Sequence, residues 1–305
     1  MLTLVQALTF LQNDIMASEQ TIGGYRLMKH MTTGQTSQVW EVNEPGSGRH
    51  FAMKLLLPEF TKDKTHRKML EHEAKVGLPM SHPNVIKMIK LDKEKDTQYL
   101  IMEYFPGGNV KFRLMRKHPI IRERCHSILI QAAAGIAHMH DRGWIHRDIK
   151  PDNILLNSSG EIKLIDFALA RRVERGGGGL FGWFTGGRKK GTTAGTRSYM
   201  SPEQILNKPL DERADIYSYG ATMFEIVWGR PPFVGSTPND LLSKHLKDRP
   251  ALLHVNNPEI TEEFSQLCNL CLAKDRKERP RNMHELLSKL RTTRVFIGDK
   301  LERPA

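Results

Sequence analysis

The stretch Ile145-His-Arg-Asp-Ile-Lys-Pro-Asp-Asn153 constrains this chain more than any other part of it. It sets a carboxylate (Asp148), an ammonium (Lys150) and an amide (Asn153) within six residues of loop-like sequence. Transfer of a phosphoryl group to a hydroxyl needs that set. The carboxylate orients the hydroxyl and takes its proton, the cation stabilises the transferring charge, and the amide supplies an oxygen ligand for magnesium. Thirteen residues after Asn153, the apolar run Ile162-Lys-Leu-Ile165 ends in Asp166, a second oxygen ligand at a strand end. A lone His-Arg-Asp arises often by chance. The full string followed by a strand and an aspartate is highly specific.

The 305 residues around this string suit two lobes better than one ball. Apolar residues at 39% and charged residues at 26% exclude a disordered or collagenous chain. No window approaches 18 uninterrupted apolar residues, so no membrane-spanning helix is expected. Three cysteines cannot form a disulfide framework, which points to a reducing, cytoplasmic compartment. The net charge of +12 suits a polyanionic partner but selects none.

Strand signals dominate from Tyr25 to about Met102. Val39–Val42 and Phe51–Leu55 flank the turn Asn43–Gly48, and Val85–Leu91 and Tyr99–Tyr104 follow a polar, helix-prone run from Lys62 to Lys75. Past Phe105-Pro-Gly-Gly108 apolar residues recur at helical spacing, as in Ile128, Ala132, Ile136 and Met139. Residues 1–21 read as an extension in which Leu2, Leu4, Val5, Leu8, Phe10, Leu11 and Ile15 line one face of a short helix or fray. Met16 offers an alternative translation start. No basic residue precedes the apolar stretch, which argues against a secretory signal.

The chain resembles the eukaryotic-type protein kinases over about residues 22–292, and bacterial members most of all in Gly195-Thr-Arg-Ser-Tyr-Met-Ser-Pro-Glu-Gln204. His146-Arg-Asp-Ile-Lys-Pro-Asp-Asn153 is similar to the Ser/Thr class, since tyrosine kinases usually place Ala or Arg where Lys150 stands. The resemblance implies a bilobal α+β fold: a β-rich N-lobe at 22–102, a hinge at 103–106, a helical C-lobe at 107–292 and a tail at 293–305. It implies ATP between the lobes and magnesium, with manganese as the alternative, on Asn153 and Asp166. Lys54 of Phe51-Ala-Met-Lys54 matches the α/β-phosphate ligand and Glu73 its helix partner. Met31, Gly34, Val39, Ala52, Met102, Glu103, Phe105 and Leu155 match the nucleotide pocket, with Met102 gating the space behind it. Glu203 of Ser-Pro-Glu matches the Ala-Pro-Glu glutamate and Arg279 its partner, while Asp215-Ile-Tyr-Ser-Tyr-Gly220 matches Asp-x-Trp-x-x-Gly. Thr196 matches the threonine that braces Asp148 and Lys150. Thr192 and Thr193 stand where relatives carry an activating phosphate, and Arg147 is its expected receiver.

Two motifs depart from the pattern. The nucleotide-covering loop reads Thr32-Thr-Gly34-Gln-Thr-Ser37-Gln-Val39, keeping one glycine, and Asp-Phe-Gly reads Asp166-Phe167-Ala168. An alanine disfavours a flipped aspartate if that state needs positive φ at 168. These departures motivate the alternative of a pseudokinase scaffold, although Asp148 and Lys54 are both present. A small-molecule phosphotransferase usually lacks the Glu203–Arg279 pair, and a nucleic-acid binder has only net charge behind it. Cys268-Asn-Leu-Cys271, His138 and His140 read as packing residues. The glycine-dense stretch from Arg175 to Gly191 cannot pack as a regular element, and its Leu180–Phe184 and Arg188-Lys-Lys190 read as loop features. The expected activity is transfer of the ATP γ-phosphate to Ser/Thr of a protein substrate in signalling. Autophosphorylation in the activation segment is expected through a transient homodimer, with no nucleic acid involved.

Overall fold

A computed structural model describes residues 20–173 and 197–299. The chain forms two compact units, residues 1–106 with Asp166–Ala168, and residues 107–165 with 169–305.

The first unit is built on a six-stranded sheet: β1 (Thr21–Ile22), β2 (Tyr25–Thr33), β3 (Ser37–Asn43), β4 (His50–Leu56), then helix α1 (Lys64–Gly77), β5 (Met88–Glu94) and β6 (Thr97–Glu103). Its order is β1-β2-β3-β4-β6-β5, with every adjacent pair antiparallel. Alternation does the sorting. Phe51, Met53 and Leu55 of β4 join Tyr25, Leu27, Val42, Tyr99 and Ile101 in one apolar cluster. Ala52 and Lys54 take the opposite face of that strand. The turn after Asn43 falls where the Pro-Gly-Ser-Gly signal put it, and α1 covers most of the helix-prone run. Asp63 caps α1 by accepting the Thr65 and His66 N–H groups at 2.6 and 3.1 Å. Strand β5 begins at Met88, three residues later than the sequence pattern suggested. Val85 and Ile86 are apolar and buried and Lys87 is exposed, but the three run irregularly into it.

The second unit contains β7 (Gly108–Asn109), α2 (Val110–Met115), α3 (Ile120–Glu123), α4 (Cys125–Asp141), β8 (Trp144–Ile145), β9 (Ile154–Leu156), β10 (Ile162–Leu164) and β11 (Arg171–Arg172). It continues with α5 (Pro202–Ile205), α6 (Arg213–Trp228), α7 (Pro238–Lys247), α8 (Leu253–Asn256), α9 (Glu262–Cys271) and α10 (Met283–Thr292). Ile128, Ala132, Ile136 and Met139 of α4 are all fully buried, as their spacing predicts. Helix α6 is buried nearly all round from Ala214 to Ile226, so it forms the core on which the rest packs. Gly220 permits this: a Cβ there would stand 2.6 Å from Cys271 Cβ of α9. Cys125, Cys268 and Cys271 are buried free thiols, consistent with packing. Among the described residues no helix is long and apolar enough to cross a membrane.

Candidate active site

Two groups of charged side chains emerge, one in each unit. In the first unit, β4 carries Lys54 toward α1, where its Nζ donates to Glu73 Oε2 at 2.7 Å. Asp166 Oδ1 lies 3.6 Å from the same ammonium. Burial disfavours the Lys54 charge, but the Glu73 and Asp166 carboxylates outweigh it and raise its pKa. Burial raises the Glu73 pKa, with the Lys54 cation opposing it. Asp166 adopts φ +67°, while Ala168 stays outside the left-handed region. The alanine that replaces glycine is therefore unstrained in this conformation, and the costly backbone sits at the carboxylate instead.

Of the remaining positions in this unit expected to serve a nucleotide, Val39 pairs with Lys54 and Ala52 with Met102 in the sheet register. Ala52, Met102 and Phe105 are buried. The Glu103 N–H donates to the Lys87 carbonyl at 2.9 Å, and Glu103 Oε1 accepts the Lys87 N–H at 2.8 Å. Gly34 closes the β2–β3 connection by donating its N–H to Ser37 O at 2.8 Å, with Met31 at a bulge of β2. Leu155 belongs to the second unit, in β9.

In the second unit, the loop after β8 gathers the other group. Lys150 Nζ donates to Asp148 Oδ2 at 2.8 Å, and Asn153 Nδ2 donates to the same oxygen at 2.9 Å and to Asp148 O at 2.8 Å. The loop holds this shape because its backbone is tied to a buried carboxylate 67 residues downstream of Asp148. Asp215 accepts the His146 N–H at 2.7 Å, the Arg147 N–H at 2.8 Å and His140 Nε2 at 2.9 Å. Burial would raise the Asp215 pKa, but the bond from His140, the neighbouring imidazoles and the backbone donor hold it below the ordinary value. The His146 ring adds a further tie: Nδ1 accepts the Asp148 N–H at 3.3 Å, so the proton sits on Nε2, which donates to Ile165 O at 3.1 Å. Arg147, between these anchors, takes φ +70°. Its carbonyl accepts from Gln204 Nε2 at 2.9 Å, which ties the loop to the Ser-Pro-Glu-Gln segment.

That segment is itself pinned. Arg279 donates to Glu203 through Nη1 at 2.7 Å and Nη2 at 3.0 Å, with exposures of 2% and 5% for the two residues. Ser201 and Gln204 form a capping box at the start of α5.

With these arrangements in view, comparison with known families is decisive. A protein kinase domain model matches residues 25–290. The chain belongs to the protein kinase family. Its two units are those of the bilobal α+β kinase fold. Among curated relatives it is 28% identical over 276 residues to a probable serine/threonine-protein kinase of Streptomyces coelicolor, covering 89% of this chain and 40% of that one. It is 27% identical over 279 residues to serine/threonine-protein kinase PrkC of Bacillus subtilis, covering 92% and 41%. Against serine/threonine-protein kinase pkn2 of Myxococcus xanthus the identity is 29% over 273 residues, covering 88% and 32%. The chain therefore spans about two fifths or less of the length of these relatives.

Within this kinase domain the structure adds residues that sequence reasoning missed. Asp215 was visible only as a motif letter, with no hint that it receives two backbone N–H groups. Arg171 of β11 lies near Arg147: burial and the Arg171 cation both lower the Arg147 pKa, and the Arg147 Nε is buried without a hydrogen-bond partner. Glu225 of α6 accepts from Lys111 Nζ at 2.5 Å and from the Tyr199 hydroxyl. Burial and the Glu225 carboxylate, with lesser effects of Asp152 and Asp148, raise the Tyr199 pKa. Thr192, Thr193, Thr196 and the glycine-dense insert lie outside the described residues.

Proposed function

We propose that the chain is a Ser/Thr protein kinase that uses ATP and a divalent cation, magnesium or alternatively manganese, to phosphorylate protein hydroxyls. The observation that carries this reading is the Asp148 carboxylate, held by Lys150 and Asn153 on a loop whose backbone is locked by Asp215. Asp148 orients the acceptor hydroxyl and receives its proton, and Lys150, 2.8 Å away, offsets charge on the transferring group. Asn153 directs its Nδ2 to Asp148, leaving the amide oxygen as the hard donor that magnesium prefers. In the other unit Lys54, kept charged by its carboxylates, serves as the phosphate ligand, and Asp166 offers a carboxylate to the metal. Val39, Ala52, Met102, Glu103 and Phe105, with Met31 and Gly34, serve the nucleotide from this unit, and Leu155 from the other. When bound, ATP supplies the phosphoryl group and the cation neutralises its charge.

Arg147 and Arg171 favour an anion beside them, since burial and the Arg171 cation raise the cost of the Arg147 charge and the Arg147 Nε lacks a partner. A phosphate on Thr192 or Thr193 is the anion we assign to them, installed by one copy of the chain on another, with Thr196 bracing Asp148 and Lys150. The buried free cysteines suit a reducing, cytoplasmic compartment, and the family suits a signalling role. Incubation of the purified chain with ATP, magnesium and a generic protein acceptor tests the reading. Phosphate should appear on Ser and Thr and not Tyr, and autophosphorylation should accelerate per molecule as protein concentration rises. Phosphotyrosine as the dominant product, or no metal-dependent transfer to any acceptor, would overturn it.

A further inference from the structure

Helix α2 points its cations two ways. Lys111 reaches Glu225 of α6. Phe112, Arg113 and Arg116 share another face of the same turn and, with Gly108 and His118, line a cavity of about 170 Å³ in the second unit. Residues 108–124 carry six Lys or Arg side chains against one acid, Glu123, and no carboxylate lines the cavity. Two of the six are committed, Lys111 to Glu225 and Arg122 to Asp299 at 3.1 Å. Among the described residues, no carboxylate pairs with Arg113 or Arg116, whose contacts are the Leu156 carbonyl and the Phe112 ring.

The donors at this cavity are positioned by contacts that do not use them up. Arg113 gives Nε and Nη2 to the Leu156 carbonyl at 3.2 and 2.8 Å, which anchors the guanidinium and leaves Nη1 over. Arg116 is exposed, with its guanidinium 4.2 Å from the centre of the Phe112 ring. His118 Nδ1 accepts the Ile120 N–H at 3.3 Å, so the neutral ring carries its proton on Nε2 as a donor. Cations near a helix C-terminus often serve its last carbonyls. Here that role is taken by backbone: the Phe112, Arg113 and Leu114 carbonyls accept the Arg116, His118 and Lys117 N–H groups at 3.2, 2.9 and 3.0 Å. The two guanidiniums are therefore available to an anionic ligand.

We propose that the cavity between Phe112, Arg113, Arg116 and His118 binds a phosphorylated serine or threonine side chain of a protein, as a docking point separate from the Asp148 group. Its volume lies below the roughly 300–1,000 Å³ of sites that enclose small molecules. It suits one phosphoryl group on a short side chain and not a nucleotide. Two guanidiniums and an imidazole match the several oxygens of a dianion, whereas a carboxylate occupies a single fork. Phosphorylated Ser and Thr are what a Ser/Thr kinase makes, so the site holds a protein that has already received a phosphate. The ligand class rests on that family membership, while the binding itself needs neither ATP nor transfer.

Fluorescence anisotropy of a short labelled Gly/Ala peptide with a central phosphoserine, titrated with the full chain without ATP or magnesium, tests the site. The phosphopeptide should bind, and the same peptide with serine or glutamate in that place should bind at least about tenfold more weakly. Arg116→Ala should weaken binding by about tenfold, the loss of one charge-assisted contact. Its thermal midpoint should stay put, because Arg116 is exposed. Arg113→Lys, which keeps the charge and loses the fork, should weaken binding several-fold. Arg281→Ala, which removes an exposed cation paired with Glu285, should leave it unchanged. Full affinity in Arg116→Ala, or an equal loss in Arg281→Ala, would overturn the docking site. So would equal binding of the glutamate peptide, or displacement by inorganic phosphate at the concentration of the phosphopeptide itself.

Discussion

The two charged groups of this kinase domain are held in place by opposite means. Around Lys54 the fixing contacts run between side chains: an ammonium on a strand, a carboxylate on a helix, and a second carboxylate at Asp166. Around Asp148 the fixing contacts run through backbone, with the His146 and Arg147 N–H groups donated to Asp215 and the Arg147 carbonyl accepting from Gln204. The first arrangement depends on charge and tolerates shifts in the main chain. The second depends on backbone geometry and is exposed to changes at residues that touch no reacting atom. It follows that remote substitutions should damage the second group far more than the first.

The largest effect expected on this basis comes from Asp215→Leu. The apolar side chain removes both acceptor oxygens, so two buried backbone donors, the His146 and Arg147 N–H groups, lose their partner at roughly 1–3 kcal/mol each. Denaturant unfolding should show a loss of about 2–6 kcal/mol. Phosphoryl transfer should fall at least a hundredfold while Asp148 itself is untouched. Retained activity would remove the backbone lock from the account.

Next in size is the segment pin. Replacing Arg279 with Met leaves Glu203 buried without its cation and should destabilise the chain by about 3–5 kcal/mol. Arg279→Met with Glu203→Leu should recover most of that loss, which thermal or denaturant midpoints would reveal. Failure of the double variant to recover would mean that the pair does more than satisfy itself. Arg279 also donates to the Ala273 and Arg213 carbonyls, so some deficit should persist.

A smaller effect is expected at the side-chain-held group. Glu73→Gln removes one charge-assisted bond, about 1.5–3 kcal/mol, and should reduce turnover roughly ten- to a hundredfold with little change in global stability. A stability loss matching that of Asp215→Leu would erase the contrast between the groups.

The smallest effect is a pH dependence away from both groups. His245 is buried, and burial together with the Lys274 cation pushes its pKa down to about 4. Because the folded value lies below the ordinary one, the neutral ring is favoured in the fold. Stability should be full above pH about 6.5 and decline as pH falls toward 4, by up to roughly 3 kcal/mol. His245→Gln should flatten that decline. An unchanged profile would assign acid sensitivity to the carboxylates instead.

What was legible in the sequence follows the same division. Lys54, Glu73, Glu203 and Arg279 are paired as their motif positions imply, across 19 and 76 residues, because side-chain charge leaves a trace in residue type. The loop string told which groups converge on Asp148. It could not tell why they converge, since a backbone N–H leaves no trace in the sequence. Nor did it mark Arg147 and Asp166 as left-handed, because neither is glycine. The Lys111–Glu225–Tyr199 group escaped for another reason: its members are common residues whose meeting depends on how α2 and α6 pack. The strand boundary near Val85 moved because apolar content alone does not separate a buried irregular segment from a strand.

Steady-state transfer by Asp148→Asn, measured beside its ATP affinity, tests the central claim most directly. The account predicts ATP binding close to that of the unaltered chain and transfer to Ser/Thr acceptors reduced about 10²- to 10⁴-fold, the range for loss of a positioned proton acceptor. Transfer within a few-fold of the unaltered chain, at undiminished ATP affinity, would contradict the assignment of Asp148 and with it the proposed chemistry.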